Sequence, residues 1–383
     1  MTKSQPHTVT LQDIATRCDL STWTVSSALR GDVRVKPATA ARVKQAADEL
    51  GYDPFSNLEA RSLALRHSGQ RMINRMVALF YPTYFHKVTF YGRMLQGLLD
   101  VFAPADYATV TCYLPDMEKN FAIPSAPVFQ RGLVDGLITF SGLGNFNPML
   151  TKLRKISRFA DRPIISLLRA IPGCSAVLTD NAHGAYLATQ HLIEHGHRHI
   201  LHIVFPIGPN GFVESGHRVE GISMALQEHD LDPGEHLHLL PFMTDPLLPA
   251  GEPCNIATIR ALSYDPATES HPVIAYLRAH PEVTAIETRN DAEALYLWAL
   301  LTKAGFSIPE DISLIGFDDT DTMHDVDGEN MLTSVNLRLH DVGRAAAELM
   351  LKHVNTHDTV DEQIIIPTTL SLRKSTAPAR KRA

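Results

Sequence analysis

Thr10, Ser21, Thr22, Trp23, Thr24, Ser26, Ser27 and Arg30 fall within twenty-one residues near the start of the chain. Threonine and serine hydroxyls bond phosphate oxygens or base edges without steric cost. A tryptophan exposed just inside a helix start is unusual unless it contacts something. Far downstream stands a second chemistry. Arg218 lies in Ser215-Gly-His-Arg-Val-Glu-Gly, while Asn290-Asp291 and Asp318-Asp319 each follow an apolar run. A guanidinium and carboxylates at strand ends suit bidentate bonding to hydroxyls or to a purine edge. A capping or domain-closing role is the plainer alternative for each, with Asp291 able to cap a helix from Ala292.

The elements that must position the first set read as short helices. Leu11, Ile14, Ala15 and Cys18 recur at helical spacing and form one apolar stripe. Asp19-Leu20 makes a turn, and Ser21 is a natural N-cap. Val25, Ala28 and Leu29 give the next helix its buried side, leaving Thr22, Trp23, Ser26 and Ser27 outward. Pro37 suits the first turn of a third helix, with Val43, Ala46, Ala47 and Leu50 as its stripe and Gly51 as its end. Two short helices and a tight turn are the layout of a helix-turn-helix, whose second helix enters the DNA major groove. Spacing alone also admits a plain three-helix bundle with Trp23 partly buried.

From residue 76 short apolar runs alternate with helical patterns. Met76–Tyr81, Gly136–Phe140, Pro163–Leu167, His199–Val204, Thr284–Glu287 and Ile312–Gly316 read as buried strands, and Ala182–His195, Arg218–His229 and Ala292–Ala304 as helices. Alternating βα units imply parallel sheets covered on both faces. Two such lobes make a cleft, and ligands of open α/β sheets sit beyond the carboxyl ends of strands.

A chain of 383 residues exceeds the usual single-domain size, so more than one domain is expected. Charge divides unevenly along it. Residues 1–75 carry 11 Lys and Arg against 7 Asp and Glu, and the remainder 24 against 35, so a basic end precedes an acidic body. No apolar run reaches the roughly 20 residues that span a bilayer, and the N-terminus lacks the apolar region of a secretory signal. Cys18, Cys112, Cys174 and Cys254 are scattered, with no CxxC pair. The expected compartment is reducing and cytoplasmic. Neither a Gly-x-Ser-x-Gly elbow nor a Walker A loop is present, which argues against an α/β enzyme. The helix-turn-helix argues against a solute-binding protein of the cell envelope.

Val9-Thr-Leu-Gln-Asp-Ile-Ala, Ser21-Thr-Trp-Thr-Val-Ser-Ser-Ala-Leu-Arg and Val35…Thr39…Arg42-Val43…Leu50-Gly51-Tyr52-Asp-Pro54 together resemble the headpiece of the lactose/galactose-repressor (LacI/GalR) family of bacterial regulators. The resemblance runs to the C-terminal Ile364-Ile-Ile-Pro…Leu370-Ser-Leu-Arg-Lys-Ser-Thr. It implies an all-α helix-turn-helix headpiece (1–54), a hinge helix and linker (55–75) and an α/β two-lobed periplasmic-binding-protein-like domain (76–383) that binds an effector and dimerises. It places Thr10, Thr22, Trp23, Thr24 and Ser27 at double-stranded operator DNA, with Ser26 and Arg30 on phosphate. The family's hinge motif matches Asn57-Leu-Glu-Ala60-Arg-Ser-Leu63, but Phe55 and Ser56 intervene after Pro54. Either the link is longer, with Asn57, Ala60 and Leu63 at the minor groove and Leu63 as the wedge, or Leu58 and Arg61 take the alanine and leucine places. We favour the longer link.

In the second domain the resemblance points to Arg218 and Asp318 as ligand contacts, then Asn290, with Thr83, Tyr84 and Phe85 as an aromatic wall and Ser141 lining the cleft. Many sugar-responsive members carry Asp-Arg after the strand that Pro163–Leu167 matches, where this chain has Leu168-Arg169. His191, His195, His197 and His199 invite a metal reading, but the family pattern uses them to cap and pack a helix-to-strand turn. No metal or cofactor is expected. The expectation is a homodimeric repressor, with no membrane partner, whose operator affinity follows a carbohydrate or related effector. A nucleobase or another small metabolite is the alternative effector.

Overall fold

A computed structural model describes residues 9–29, 32, 34–52, 73–82, 88–114, 127–130, 132–140, 147–155, 159–204, 213–241, 254–255, 263–356 and 361–380. Contacts divide the chain into two units, Met1–Asn74 and Arg75–Ala383.

In the first unit α1 (Leu11–Cys18), α2 (Thr22–Leu29) and α3 (Pro37–Leu50) enclose a small core of Ile14, Ala15, Cys18, Val25, Ala28, Val43, Ala46 and Ala47. Sequence explains each boundary. Thr10 and Asp13 form a reciprocal capping box at the start of α1. Asp19 ends that helix in the left-handed region (φ 50°). The Ser21 hydroxyl accepts from the Thr24 amide (3.1 Å) and opens α2. Pro37 occupies the first turn of α3, and Gly51 at φ 68° closes it. Two expectations for α2 fail. Ser27 is buried rather than outward, because the chain after α2 folds back over it and the Asp32 amide donates to the Ser27 carbonyl (3.0 Å). Leu29, at the last turn, is exposed instead of buried.

The second unit begins with β1 (Met76–Pro82), α4 (Val88–Phe102), β2 (Ala108–Leu114), α5 (Pro127–Gln130), β3 (Gly136–Phe140), α6 (Asn147–Arg154), β4 (Ile164–Leu167) and β5 (Ser175–Thr179). Next come α7 (Asn181–Glu194), β6 (His199–Val204), α8 (Val213–Glu228), α9 (Pro233–His236), β7 (Leu237–Pro241), β8 (Cys254–Asn255), a 3-10 turn (Pro266–Ser270) and α10 (Pro272–Ala279). The chain continues through β9 (Val283–Glu287), α11 (Asp291–Lys303), β10 (Ser313–Asp318), β11 (Met323–His324) and β12 (Thr333–Asn336). It ends on α12 (Leu339–Thr356), β13 (Gln363–Ile366) and β14 (Thr369–Ser371).

Two sheets result. Lobe 1 has strand order β13-β5-β4-β3-β1-β2, and lobe 2 has β14-β12-β10-β9-β6-β7. Pairing is parallel throughout both, except that β14 runs antiparallel to β12. Strands β3, β4, β9 and β10 are buried along their whole length, as the continuous apolar runs require. The chain passes between lobes at three places: β5 into α7, β12 into α12, and β13 into β14. Thus α12, late in sequence, returns to lobe 1 and packs on α4. That approach depends on small residues, since a Cβ on Gly97 would meet the His340 carbonyl and one on Gly343 the Met94 carbonyl. In lobe 2 a Cβ on Gly221 would strike the Ala182 carbonyl where α8 crosses α7.

The clustered histidines are structural partners in this arrangement. His191 Nε2 lies 2.9 Å from Thr376 Oγ1, and His197 bonds Thr284 Oγ1 (2.8 Å) and the Ala377 carbonyl (3.0 Å). His195 Nδ1 closes on the His191 carbonyl (2.8 Å). His199 instead faces His238 on the neighbouring strand (Nδ1 to Nε2, 3.2 Å). Among the described residues no three His, Cys, Asp or Glu side chains form a set able to hold a metal ion.

A buried pair lies between β6 and β9, where His202 and Glu287 are in register. Glu287 Oε1 accepts from Thr189 Oγ1 (2.8 Å), while Oε2 is 3.9 Å from His202 Nδ1. Burial raises the Glu287 carboxyl to about 8, and burial holds His202 at about 3, so both are neutral at pH 7. A carboxyl raised in the folded state stabilises most below its unfolded value and loses that contribution as pH rises toward 8. The histidine acts oppositely, losing stability as pH falls below about 6.5. The two trends mask each other in the wild type. Glu287→Gln removes one of them. The stability of wild type relative to Glu287→Gln, measured by urea unfolding, is expected to grow as pH falls from 8 to 5, by at most about 1.4 kcal/mol per pH unit. A difference independent of pH would show that Glu287 is ionised in the fold.

Candidate functional site

The first unit presents one polar, exposed helix face. Ser21, Thr22 and Trp23 are exposed, Trp23 at 63 %, and Thr24 and Ser26 are half-buried. Because α2 begins at Thr22, its first turn carries Thr22, Trp23 and Thr24 with the backbone amides of a helix start. An indole left this open is not needed by the core, which closes without it. Two hydroxyls have internal duties. Ser21 Oγ and Thr24 Oγ1 share a hydrogen bond (2.8 Å), and Thr10 Oγ1 donates to Asp13 Oδ2 (2.7 Å). Ser27 lies in the interior and is removed from the set of outward contacts. Arg30, Asn57, Ala60 and Leu63 lie outside the described residues.

In the second unit the carboxyl edge of lobe 2 gathers Arg218, Phe317, Asp318 and the loop after β9. Arg218 is held on three sides. Its Nε donates to Asn181 Oδ1 (3.0 Å), an Nη donates to the Arg289 carbonyl, and the guanidinium carbon lies 3.5 Å from the Phe317 ring centre. The charge is therefore fixed in place before any ligand arrives. Asp318, buried at the end of β10, has φ 96°, and Asp319 follows at φ 55°. Two successive non-glycine residues at positive φ turn the chain sharply.

Asp291 makes that turn possible. Its carboxyl accepts from the Thr320 amide (2.6 Å), the Asp321 amide (3.3 Å) and the Ser334 hydroxyl. Burial, and next the charge of Asp318, raise its pKa well above the usual carboxylate value. Gly316 lets this carboxyl approach, since a Cβ there would meet Asp291 Oδ1. The helix cap is not Asp291 but Asn290, whose Oδ1 accepts from the Glu293 amide (2.9 Å). Asn290 thus uses its acceptor to start α11, next to the cleft edge.

Lobe 1 contributes an aromatic stack. Tyr81 and Phe140 lie 4.0 Å apart at 17°, and Tyr91 meets both edge-on. Burial, with the charge of Asp318, pushes the Tyr91 hydroxyl up to about 12, which places this α4 residue within electrostatic range of lobe 2. Thr83, Tyr84, Phe85 and Ser141 lie outside the described residues. At the end of β4, Leu168 takes φ 66° and donates its amide to the Val177 carbonyl (2.8 Å), while Ser166 Oγ caps the Arg169 carbonyl (2.6 Å). The structure thus brings Arg218 and Asp318 to one edge and gives Asn290 a capping role there. Tyr91, Asn181 and Phe317 were not expected from sequence. Phe317 was findable as the neighbour of Asp318, but Asn181 reaches the site because α7 starts at the first crossing, and Tyr91 because α4 packs beside β1 and β3.

Comparison with known proteins agrees with both units. Residues 10–54 match a family described as bacterial regulatory proteins, lacI family. Residues 90–245 match periplasmic binding proteins and sugar binding domain of LacI family, and 189–376 match a periplasmic binding protein-like domain. The ribose operon repressor of Halalkalibacterium halodurans is 26 % identical over 373 residues, spanning 96 % of this chain and 97 % of its own. Two solved structures share the fold. A complex of the transcriptional regulator CelR with cellobiose has TM-score 0.56 at 24 % identity, covering 96 % of this chain and 99 % of its own. The lac repressor dimer bound to operator and the anti-inducer ONPF has TM-score 0.62 at 17 % identity, covering 97 % of this chain and all of its own. A lacI-type N-terminal domain followed by a periplasmic-binding-protein-like domain is what these matches share with the chain. It belongs to the LacI family, as a DNA-binding transcriptional regulator under small-molecule control.

Proposed function

We propose that the chain is a homodimeric repressor whose effector is a small polyhydroxylated molecule, a carbohydrate or a derivative of one. The observation that carries this reading is the fixed Arg218 beside Asp318 at one strand edge. A rigid donor fork and an acceptor on neighbouring elements of one strand edge suit the hydroxyls of a sugar ring. The names of the relatives support the class, since one acts on a ribose operon and another is complexed with cellobiose. A nucleobase is the second reading. Leu168 stands where sugar-responsive members carry an aspartate, so one hydroxyl acceptor is lost while a planar heterocycle loses nothing. Asn290, Thr83, Tyr84, Phe85 and Ser141 complete the proposed cleft.

At the other end, Thr22, Trp23 and Thr24 would read bases in the major groove, with Thr10, Ser21, Ser26 and Arg30 on the backbone and Asn57, Ala60 and Leu63 at the minor groove. Two copies would present two recognition helices to a near-palindromic operator, as in the lac repressor dimer.

A thermal-shift screen of the full chain against ribose, cellobiose, galacturonate, hypoxanthine and guanine separates the two effector readings. Sugars or sugar acids are expected to raise the midpoint, and a shift by the bases alone would overturn the carbohydrate assignment. Asp318→Ala is expected to lower affinity for the active compound about 10–100-fold in calorimetry, the loss of a charge-assisted hydrogen bond. It should leave operator affinity of the free protein within about twofold, and unchanged ligand affinity would remove Asp318 from the cleft. Trp23→Ala is expected to weaken binding to an operator selected from random duplexes by about 10-fold or more, an effect of the size of one base-reading contact. Binding to scrambled DNA should change far less, and equal losses on both would refute base reading by Trp23.

A further inference from the structure

We infer that Asp319 is a positioning residue that joins the effector-binding strand end to two of the three crossings between the lobes. This rests on the placement of Asp318 in the effector cleft. Asp319 follows Asp318 directly, and its carboxylate meets a set of partners drawn from both crossings. Oδ2 accepts from Asn336 Nδ2 (3.0 Å) and from Ser371 Oγ (2.9 Å), and Oδ1 pairs with Arg373 (2.8 Å). Asn336 is the last residue of β12, where the chain leaves for α12. Ser371 ends β14, just after the chain has returned from β13.

The node is buried and has several bonds to each side. Asp319 is 8 % exposed. Its amide donates to Ser334 Oγ (3.2 Å), the same hydroxyl that donates to Asp291. Arg373 is itself anchored, its amide on Thr333 Oγ1 (2.9 Å) and its guanidinium on the Leu332 carbonyl. At the second crossing Asn336 Oδ1 also accepts from the Arg338 amide (2.7 Å), and Arg338 sits at φ 52°. The Asp319 carboxylate therefore ties together the lobe 2 ends of both crossings, next to the points about which the lobes must turn. A low-dielectric ion pair with fully used acceptors is costly to break by half, so the node transmits motion instead of absorbing it.

The remaining crossing has its own tie to the cleft. Asn181, the first residue of α7, accepts from Arg218 through Oδ1 and donates through Nδ2 to Thr179 Oγ1 (3.0 Å). The first and third crossings are also bonded together, by the Asp180 amide on the Ile366 carbonyl (3.1 Å) and Thr368 Oγ1 on the Asp180 carbonyl (3.0 Å). Each crossing is thus one or two hydrogen bonds from a cleft side chain. A ligand that draws Asp318 inward must move Asp319 with it, and with Asp319 the ends of β12 and β14. Hinge motions of this kind concentrate φ/ψ change in a few residues at element ends.

The test is hydrogen–deuterium exchange on the full chain, comparing wild type with Asp319→Asn and Asp318→Asn. Asp319→Asn is expected to raise exchange at least tenfold in peptides covering 336–341 and 366–371, while 179–184 changes less than threefold. Asp318→Asn, which leaves the node intact, is expected to leave all three crossings at wild-type rates. A uniform rise across lobe 2 in Asp319→Asn, or no rise at either crossing, overturns the inference. Should Asp319→Asn fail to fold, Asn336→Ala removes the bonds to Asp319 and from the Arg338 amide, Ser371→Ala removes its bond to Asp319, and each is expected to raise exchange at its own crossing only, in the first case at amides beyond Arg338 as well. Protection unchanged in both would equally overturn it. A ligand screen that finds nothing would remove the effector reading and leave this result standing, because exchange is read without a ligand.

Discussion

The second unit depends on one carboxyl group excluded from water. Asp291 lies fully buried beneath the end of β10 and holds two successive amides and a serine hydroxyl. A polar group buried this way costs several kcal/mol unless its bonds are made, so the loop it holds cannot relax without exposing it. The loop is the one that carries Asp318 and Asp319. Gly316 is required because any side chain there would occupy the space of the carboxyl. The proposed ligand contact of Asp318 and the inferred positioning role of Asp319 both rest on that constraint.

The Asp-Asp dipeptide was visible in sequence, but its division of labour was not. Both residues followed an apolar run, and both fitted a ligand or a capping role. Backbone conformation separates them: positive φ at both positions rotates consecutive side chains to different neighbours. Asn290 shows the same limit from the other side. It was read as a ligand contact, and it proves to cap α11 while Asp291, expected to cap, supports the loop. Neighbouring polar residues at a strand end can exchange these roles without any change in composition.

The fold was more legible. Continuous apolar runs gave the buried parallel strands, and the helix boundaries in the first unit followed from Thr10, Ser21, Pro37 and Gly51. Their caps are local chemistry, and local chemistry survives in sequence. Ser27 and Leu29 were misjudged because the return of the chain after α2 decides their burial, and no helical period encodes that return. Tyr91 and Asn181 escaped notice for a related reason. Asn181 opens the helix that starts at the first crossing and Tyr91 lies on the helix after β1, both far from the motifs that marked Arg218 and Asp318.

The account's central claim is that one chain couples two binding events. Coupling is reciprocal by thermodynamic necessity: a ligand that changes DNA affinity by some factor must have its own affinity changed by the same factor. The most direct test is to titrate the effector found in the screen into full chain alone and into full chain saturated with its selected operator. Calorimetry should return two dissociation constants whose ratio equals the ratio of operator affinities with and without effector, in the range of about 5–150-fold. Identical constants in the two titrations would contradict the account, because the cleft and the headpiece would then be binding independently.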